Sequence, residues 1–379
     1  MRKTYKYRLM GNRETFSKAE SWLTMCRNLY NAGLEQRIDA YRRHHKTVSG
    51  YTQMAELTDI KESFPEYKQV GSQVLQQCLD RLDKAYKSFF RRVTKKKIGE
   101  KAGFPRFKGR NRYDSFTLKN TGWKLDGRNL SIRNVGRFKL RLSRPIEGDI
   151  KTITIRREST GYWYACFSCD NVSENKLPES DSVVGLDVGI KSFVVDSEGN
   201  SVDNPNYFRQ SERQLRVRQR KLARRKKGSR RRNRARILVS KAHEKVKNQR
   251  SDFLHKLANQ YIRNYGVICV EDLNIKGMVR NHHLAKSISD AGWGQFIGLI
   301  EYKAAEAGRQ LIRIPRFEPS SKTCSVCGSI NHNLKLSDRQ WFCESCGTLH
   351  DRDFNAAKNI RRVGQTLQEV TYAKRHSVS

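Results

Sequence analysis

Cys324-Ser325-Val326-Cys327, fifteen intervening residues, Cys343-Glu344-Ser345-Cys346, and then His350-Asp351-Arg352-Asp353-Phe354-Asn355-Ala356-Ala357-Lys358-Asn359-Ile360: the reading of this stretch decides the fold. Two Cys-x₂-Cys pairs at this spacing form the pattern of a four-thiolate zinc cage. Thiolates from Cys324, Cys327, Cys343 and Cys346 fill a tetrahedron, so the expected Zn²⁺ is structural. His332 and His350 are then spare ligands. The run that follows has acids at the start of a helix. Asp351, two residues before Asp353, suits the N-cap, and Asn355 is expected to hold a water or a carboxylate nearby. Asp353 then falls in the first turn, and Ala356, Ala357 and Ile360 offer a face able to pack closely on a sheet.

Two other acids end apolar runs. Asp187 follows Val183-Val184-Gly185-Leu186 and precedes Gly189, which permits a tight turn; Glu271 follows Val267-Ile268-Cys269-Val270. Both runs read as buried strands. Asp272 would face the other side of its strand and is read as structural. Two carboxylates about 4 Å apart repel by roughly 4 kcal/mol at an effective dielectric near 20. Three packed together call for counter-ions. A pair of Mg²⁺ ions about 4 Å apart takes oxygen ligands from such a set and serves phosphodiester hydrolysis. Asp187, Glu271 and Asp353 are therefore the candidate catalytic and magnesium-binding residues. The order strand-Asp, strand-Glu, helix-Asp points to an RNase H-like α/β nuclease carrying a zinc insert.

The charge agrees. The chain has 379 residues, with 76 Lys and Arg against 38 Asp and Glu, a formal net charge of +38. Such an excess calls for a polyanion, and nucleic acid gains further from counterion release. Residues 209–250 hold nineteen Lys or Arg against two Glu, a local +17. Leu215, Leu222, Ile237, Leu238 and Val246 keep a sparse helical spacing there, which predicts long basic helices. Arg220, Lys221, Arg224, Arg225, Lys226 and Lys227 are candidate phosphate contacts. Of the five other cysteines, Cys166 and Cys169 share a predicted strand and face opposite sides, which argues against a ligand pair. No apolar leader follows Met1 and no apolar run is long enough to span a bilayer, so the chain reads as cytoplasmic, in a reducing compartment.

Helical periodicity covers residues 15–43 and 72–93. Short β-like runs recur at Ser115–Leu118, Leu130–Ile132, Phe138–Leu140, Ile153–Ile155 and Trp163–Ala165, after a Lys-rich stretch at Lys95-Lys96-Lys97. They suggest a small barrel, joined by a strand within residues 1–10. Pro178–Asp181 reads as a linker. Helices are expected at Phe253–Asn264, from Trp293 to Ala307 and from Arg352 to about Val363. A polar loop carries His282 and His283, a strand covers Leu311–Ile314, and the tail after Gly364 is weakly patterned.

These residues resemble the TnpB family, transposon-encoded RNA-guided nucleases related to the type V CRISPR effectors. The resemblance rests on Gly185-Leu186-Asp187-Val188-Gly189-Ile190-Lys191, Val270-Glu271-Asp272-Leu273, Ser287-Ile288-Ser289-Asp290-Ala291-Gly292-Trp293, Ser320-Ser321-Lys322-Thr323-Cys324 and Asp351-Arg352-Asp353-Phe354-Asn355-Ala356-Ala357. Gly103-Phe104-Pro105-Arg106-Phe107 and Tyr5-Lys6-Tyr7-Arg8-Leu9 fit it too. It implies a wedge-like β-barrel (1–10 and 110–175), a helical recognition domain (11–109), a RuvC nuclease (181–320 and 350–364), a zinc-binding insert (321–349) and a tail (365–379). It also implies a guide RNA from the transposon end lying along the basic helices. The implied substrate is double-stranded target DNA opened beside a transposon-adjacent motif, cut by one RuvC site in a monomer loaded with RNA, in a prokaryotic cytoplasm. Tyr51, Ser72, Gln73, Gln76 and Thr117 are the implied readers of that motif, since a Gln amide can pair with an adenine edge.

Overall fold

The computed structural model describes residues 1–95, 102–110, 112–335 and 337–376, with side chains as far as Val370. Lys96 and Lys97 of the Lys-rich stretch and the last three positions of the tail lie outside the described residues. The chain divides into two compact units, Met1–Ser173 and Glu174–Ser379.

The first unit begins with strand β1 (Lys3–Met10) and helix α1 (Arg13–His44), followed by α2 (Gly50–Ala55), α3 (Leu57–Ser63) and α4 (Ser72–Thr94). Six strands follow: β2 (Ser115–Leu118), β3 (Trp123–Asp126), β4 (Asn129–Ile132), β5 (Gly136–Arg141), β6 (Asp149–Arg157) and β7 (Trp163–Asp170). They join β1 in one seven-stranded sheet of order β2-β6-β7-β1-β5-β4-β3. Tyr5, Tyr7 and Leu9 of β1 alternate into the core and meet Leu130, Phe138 and Phe167 from the other strands. Leu75, Leu79 and Leu82 of α4 pack with Leu34 of α1 in the same core. Asn12 starts α1 by accepting the Thr15 N–H at 2.8 Å. In β7 Cys169 is fully buried and Cys166 lies on the opposite, partly exposed side. Helices α2 and α3 escape a reading of periodicity because they span only six and seven residues.

The second unit is built on a five-stranded sheet of order β10-β9-β8-β11-β12. Its strands and helices run β8 (Val183–Val188), β9 (Ser192–Asp196), β10 (Ser201–Asp203), α5 (Tyr207–Ala223), α6 (Arg230–Asn264), β11 (Val267–Glu271), α7 (Ile275–Met278), α8 (His282–Ala291), α9 (Trp293–Ala307), β12 (Gln310–Ile314), β13 (Gln340–Phe342), β14 (Leu349–Asp351) and α10 (Arg352–His376). Strands β8, β9 and β10 pair antiparallel, whereas β11 runs parallel to both β8 and β12. The alternation along β8 and β11 assigns the two faces. Val184, Leu186, Ile268 and Val270 pack with Leu254 of α6 and Phe296 of α9. Val183, Val267 and Cys269 point the other way and pack with Ile360 of α10.

Three expectations are corrected in this unit. The helix expected at Phe253–Asn264 is the second half of α6, because no Gly or Pro interrupts residues 230–264. The break lies earlier, at Gly228 with φ +83°, after which Ser229 caps α6 by accepting the Arg232 N–H at 3.1 Å. The segment with His282 and His283 is helix α8 and not a loop. Asn281 caps it and Gly292, at φ +76°, ends it. Lastly, α10 does not stop near Val363 but continues to His376. Gly364 serves close packing there: a Cβ at this position would collide with the Cys269 thiol.

Candidate active site and thiol cluster

Parallel pairing of β8 with β11 sets Cys269 beside Gly185 and Val270 beside Leu186. One residue further along each strand stand Glu271 and Asp187, neighbours across a strand spacing of about 4.8 Å. Both lie on the face that carries Gly185 and Cys269, toward α10. Gly185 lets that helix approach: a Cβ there would collide with the Ala357 carbonyl and the Arg361 backbone. Ala356, Ala357 and Ile360 are fully buried against the sheet. Asp353 lies one turn earlier in α10, which brings its carboxylate over the ends of β8 and β11.

The electrostatics record this convergence. Burial first, then the negative charges of Glu271 and Asp353, push the Asp187 carboxyl up to about 8. Burial also pushes Glu271 up, against the pull of a hydrogen bond from the Ser320 hydroxyl. Asp353 is ion-paired with Arg339 (3.2 Å) and Arg352 (3.1 Å). Asp351 accepts the N–H groups of Asp353 (3.1 Å) and Phe354 (2.9 Å), and so caps α10. Asp272 turns away and pairs with Arg316 at 2.6 Å.

The four thiols lie together. The sulfur atoms of Cys324, Cys327, Cys343 and Cys346 are all within 4.8 Å of one another. Cys324 and Cys346 are 3.7 Å apart, and Cys327 and Cys343 are 3.5 Å apart. Disulfide bonding would need about 2.05 Å. Zn–S bonds of about 2.3 Å in a tetrahedron give an S···S edge of about 3.8 Å, so the cluster fits zinc. His350 is not a fifth ligand. Its Nε2 lies 3.0 Å from the Cys324 sulfur while its ring packs on Trp341.

Sequence reasoning gave Asn355 the holding of water or a carboxylate and passed over Asn359, Ser320 and Arg339. The Asn355 amide in fact donates to the Thr323 carbonyl (2.8 Å) and accepts the Ser325 N–H (2.9 Å). Asn359 donates to the carbonyls of Ser320 (2.8 Å) and Thr323 (2.6 Å). Two asparagines one turn apart on α10 thus clamp the strap that carries Ser320 to Glu271. Their i, i+4 spacing was the available signal.

The other candidates are dispersed. Arg220 and Lys221 in α5, and Arg224, Arg225, Lys226 and Lys227 in the turn after it, are all exposed. Tyr51 is 88% exposed. Gln76 is exposed, and exposed Ser72 accepts from Lys61 at 2.6 Å. Gln73 has a buried side-chain oxygen with no partner. Thr117 bonds Arg81 (2.8 Å) and Thr154 (2.9 Å). None of the described helices is long and apolar enough to cross a membrane.

Three family descriptions match parts of the chain: "Helix-turn-helix domain" over residues 1–46, "Probable transposase" (OrfB_IS605) over 166–282, and "Cas12f1-like, TNB domain" over 293–360. A protein of Streptomyces pristinaespiralis named "Putative RNA-guided DNA endonuclease" is 34% identical over 371 residues, covering 96% of this chain and 90% of its own. The chain belongs to the TnpB family of RNA-guided DNA endonucleases. Another relative of this TnpB-family chain is "Putative RNA-guided DNA endonuclease InsQ" of Escherichia coli strain K12. It is 28% identical, with coverage of 96% and 92%. Among solved structures, a mini-RNA-guided endonuclease, CRISPR-Cas_phi3, shares the fold at a TM-score of 0.50 and 10% identity, with coverage of 96% and 92%.

Proposed function

We propose that the chain is a guide-RNA-dependent endonuclease that cuts double-stranded DNA beside a short transposon-adjacent motif, with one RuvC site taking the two strands in turn. The observation that carries the reading is the placement of Asp187 and Glu271 side by side on parallel strands, opposite the first turn of α10. There burial first, and then the charges of Glu271 and Asp353, push the Asp187 carboxyl up. Two Mg²⁺ ions held by Asp187, Glu271 and Asp353 would stabilise the attacking and leaving oxygens of an in-line displacement. The protein's own groups prepare that place. Ser320 orients Glu271, and Arg339 and Arg352 hold Asp353 by ion pairs that the incoming cations would replace. The four cysteines would hold one structural Zn²⁺.

In this reading target choice comes from pairing with the guide RNA, while the protein contributes charge and shape. The guide derives from the transposon end, and Arg220, Lys221, Arg224, Arg225, Lys226 and Lys227 hold its phosphates. Tyr51, Ser72, Gln73, Gln76 and Thr117 read the adjacent motif. The domain roles follow the wedge, recognition, nuclease and zinc-insert division, and one chain works with its RNA in a prokaryotic cytoplasm. The test is cleavage of a matched plasmid by the RNA-loaded protein in Mg²⁺. Asp187→Ala and Glu271→Ala should each abolish cutting and keep RNA-dependent target binding. Full cleavage by both variants would reject the site, and undiminished cutting after complete RNA removal would reject the guide.

A further inference from the structure

Phe317 is the most exposed large apolar side chain among the described residues, at 92%. A single exposed phenylalanine is ordinary by itself; the rigidity of its mounting is not. Phe317 occupies the third position of a turn closed by the Glu318 N–H donating to the Pro315 carbonyl at 3.2 Å. Before it, the Arg316 guanidinium donates to the Asp272 carboxylate at 2.6 Å and to the Asp272 carbonyl at 3.0 Å. After it, the Ser320 N–H donates to the Glu318 carbonyl at 2.8 Å, the Ser320 hydroxyl donates to Glu271, and Asn359 holds the Ser320 carbonyl at 2.8 Å. Both moorings adjoin Glu271. Three residues of chain reach at most about 11 Å, which bounds the distance from the Phe317 Cα to that of Ser320, the residue whose hydroxyl touches Glu271.

We propose that Phe317 stacks on the nucleobase next to the phosphodiester engaged by Asp187, Glu271 and Asp353, and so holds an unpaired DNA strand in register for cutting. This rests on the nuclease reading above. An aromatic face suits the task because every base has a π face, so stacking tolerates any sequence. An enzyme whose target is chosen by its guide needs that tolerance at the cut. A hydrogen-bonding side chain in the same place would impose a base preference.

The test uses the full-length protein loaded with guide RNA. Phe317→Ala should slow single-turnover cleavage or raise KM by roughly 5- to 150-fold, the range of one lost base stack. Guide-dependent target binding and the thermal midpoint should not change. Phe317→Trp or Phe317→Tyr should restore cutting, and Phe317→Leu should not. With 2-aminopurine beside the cut in a target bound by Asp187→Ala, fluorescence should be quenched, and adding Phe317→Ala should relieve the quench. A merely structural ring would not produce that signal. Wild-type rate and KM in Phe317→Ala, Leu performing as well as Tyr, an unaltered 2-aminopurine signal, or a Phe317→Ala chain that fails to fold would each overturn the inference. If the wild-type complex does not cut, the nuclease reading falls and takes this one with it; if it cuts and Phe317→Ala is silent, only this one falls.

Discussion

Asp187→Asn should remove cutting and yet stabilise the protein when no divalent cation is present. Asp187 is held at about 8 in the folded chain, against 3.8 for an ordinary aspartate. The fold therefore binds a proton that the unfolded chain releases, and between these two values its stability falls as pH rises. At pH 7 the shortfall is about 4 kcal/mol at most, taking 1.36 kcal/mol per pH unit above the unfolded value; at pH 5 it is under about 2. Asn keeps the shape and carries no charge, so the variant escapes the penalty. For a unit of this size the gain corresponds to at most roughly 8–16 °C at pH 7, shrinking by more than half at pH 5. Calorimetry in chelator at both pH values, with hydrogen exchange over Val183–Val188 and Val267–Glu271, reads it. Millimolar Mg²⁺ should close the gap by stabilising the wild type alone. A variant no more stable than wild type at pH 7, or a gap independent of pH, would refute the assignment of strain to this carboxylate.

Three other outcomes are expected. Gly185→Ala drives a methyl into the backbone of α10 at Ala357 and Arg361, so it should cost about 3 kcal/mol or more and expose α10 to proteolysis. Asp290→Ala strips the partner from Arg250 (2.8 Å) and from the N–H groups of Phe208 and Arg209 (3.1 and 3.4 Å). Breaking this buried pair should cost about 3–5 kcal/mol and increase hydrogen exchange at the start of α5. Cys343→Ser should lower bound zinc, read by elemental analysis, from one per chain toward none. Exchange should then rise from the thiol cluster back to Ser320.

What the sequence revealed of the site follows from where each residue's information lies. Asp187 and Glu271 each end an unbroken apolar run, and Asp353 follows a cap, so local pattern was enough to single them out. The thiols declare themselves by spacing alone. Arg339 has no local mark: it matters only because folding brings it to Asp353. Gly364 misled for a physical reason. A glycine after a periodic stretch reads as a helix end, whereas here the helix continues and the missing Cβ makes room for Cys269. The joined helix α6 shows the opposite error: a helix is expected to begin at Phe253, yet nothing from Arg230 to Asn264 is a Gly or Pro that would break it.

The thiol cluster and the acids are parts of one device. The chain leaves the site at Ser320, which touches Glu271, and returns at Asp353, so residues 321–352 form a loop whose two ends must both be placed. An unrestrained loop of that length would have to give up considerable conformational freedom to hold its ends. Four thiolates around one ion would cross-link it, and Trp341, Leu334 and the buried Cys324 and Cys343 supply only a small apolar cluster in addition. The Asn355 and Asn359 amides then fasten the loop's entry to the helix that carries its exit. Arg339, four residues before Cys343, reaches Asp353 from inside this loop. A zinc ion held there, with no open position for substrate, would act on the proposed catalysis only by fixing where Ser320 and Arg339 stand relative to the carboxylates they touch.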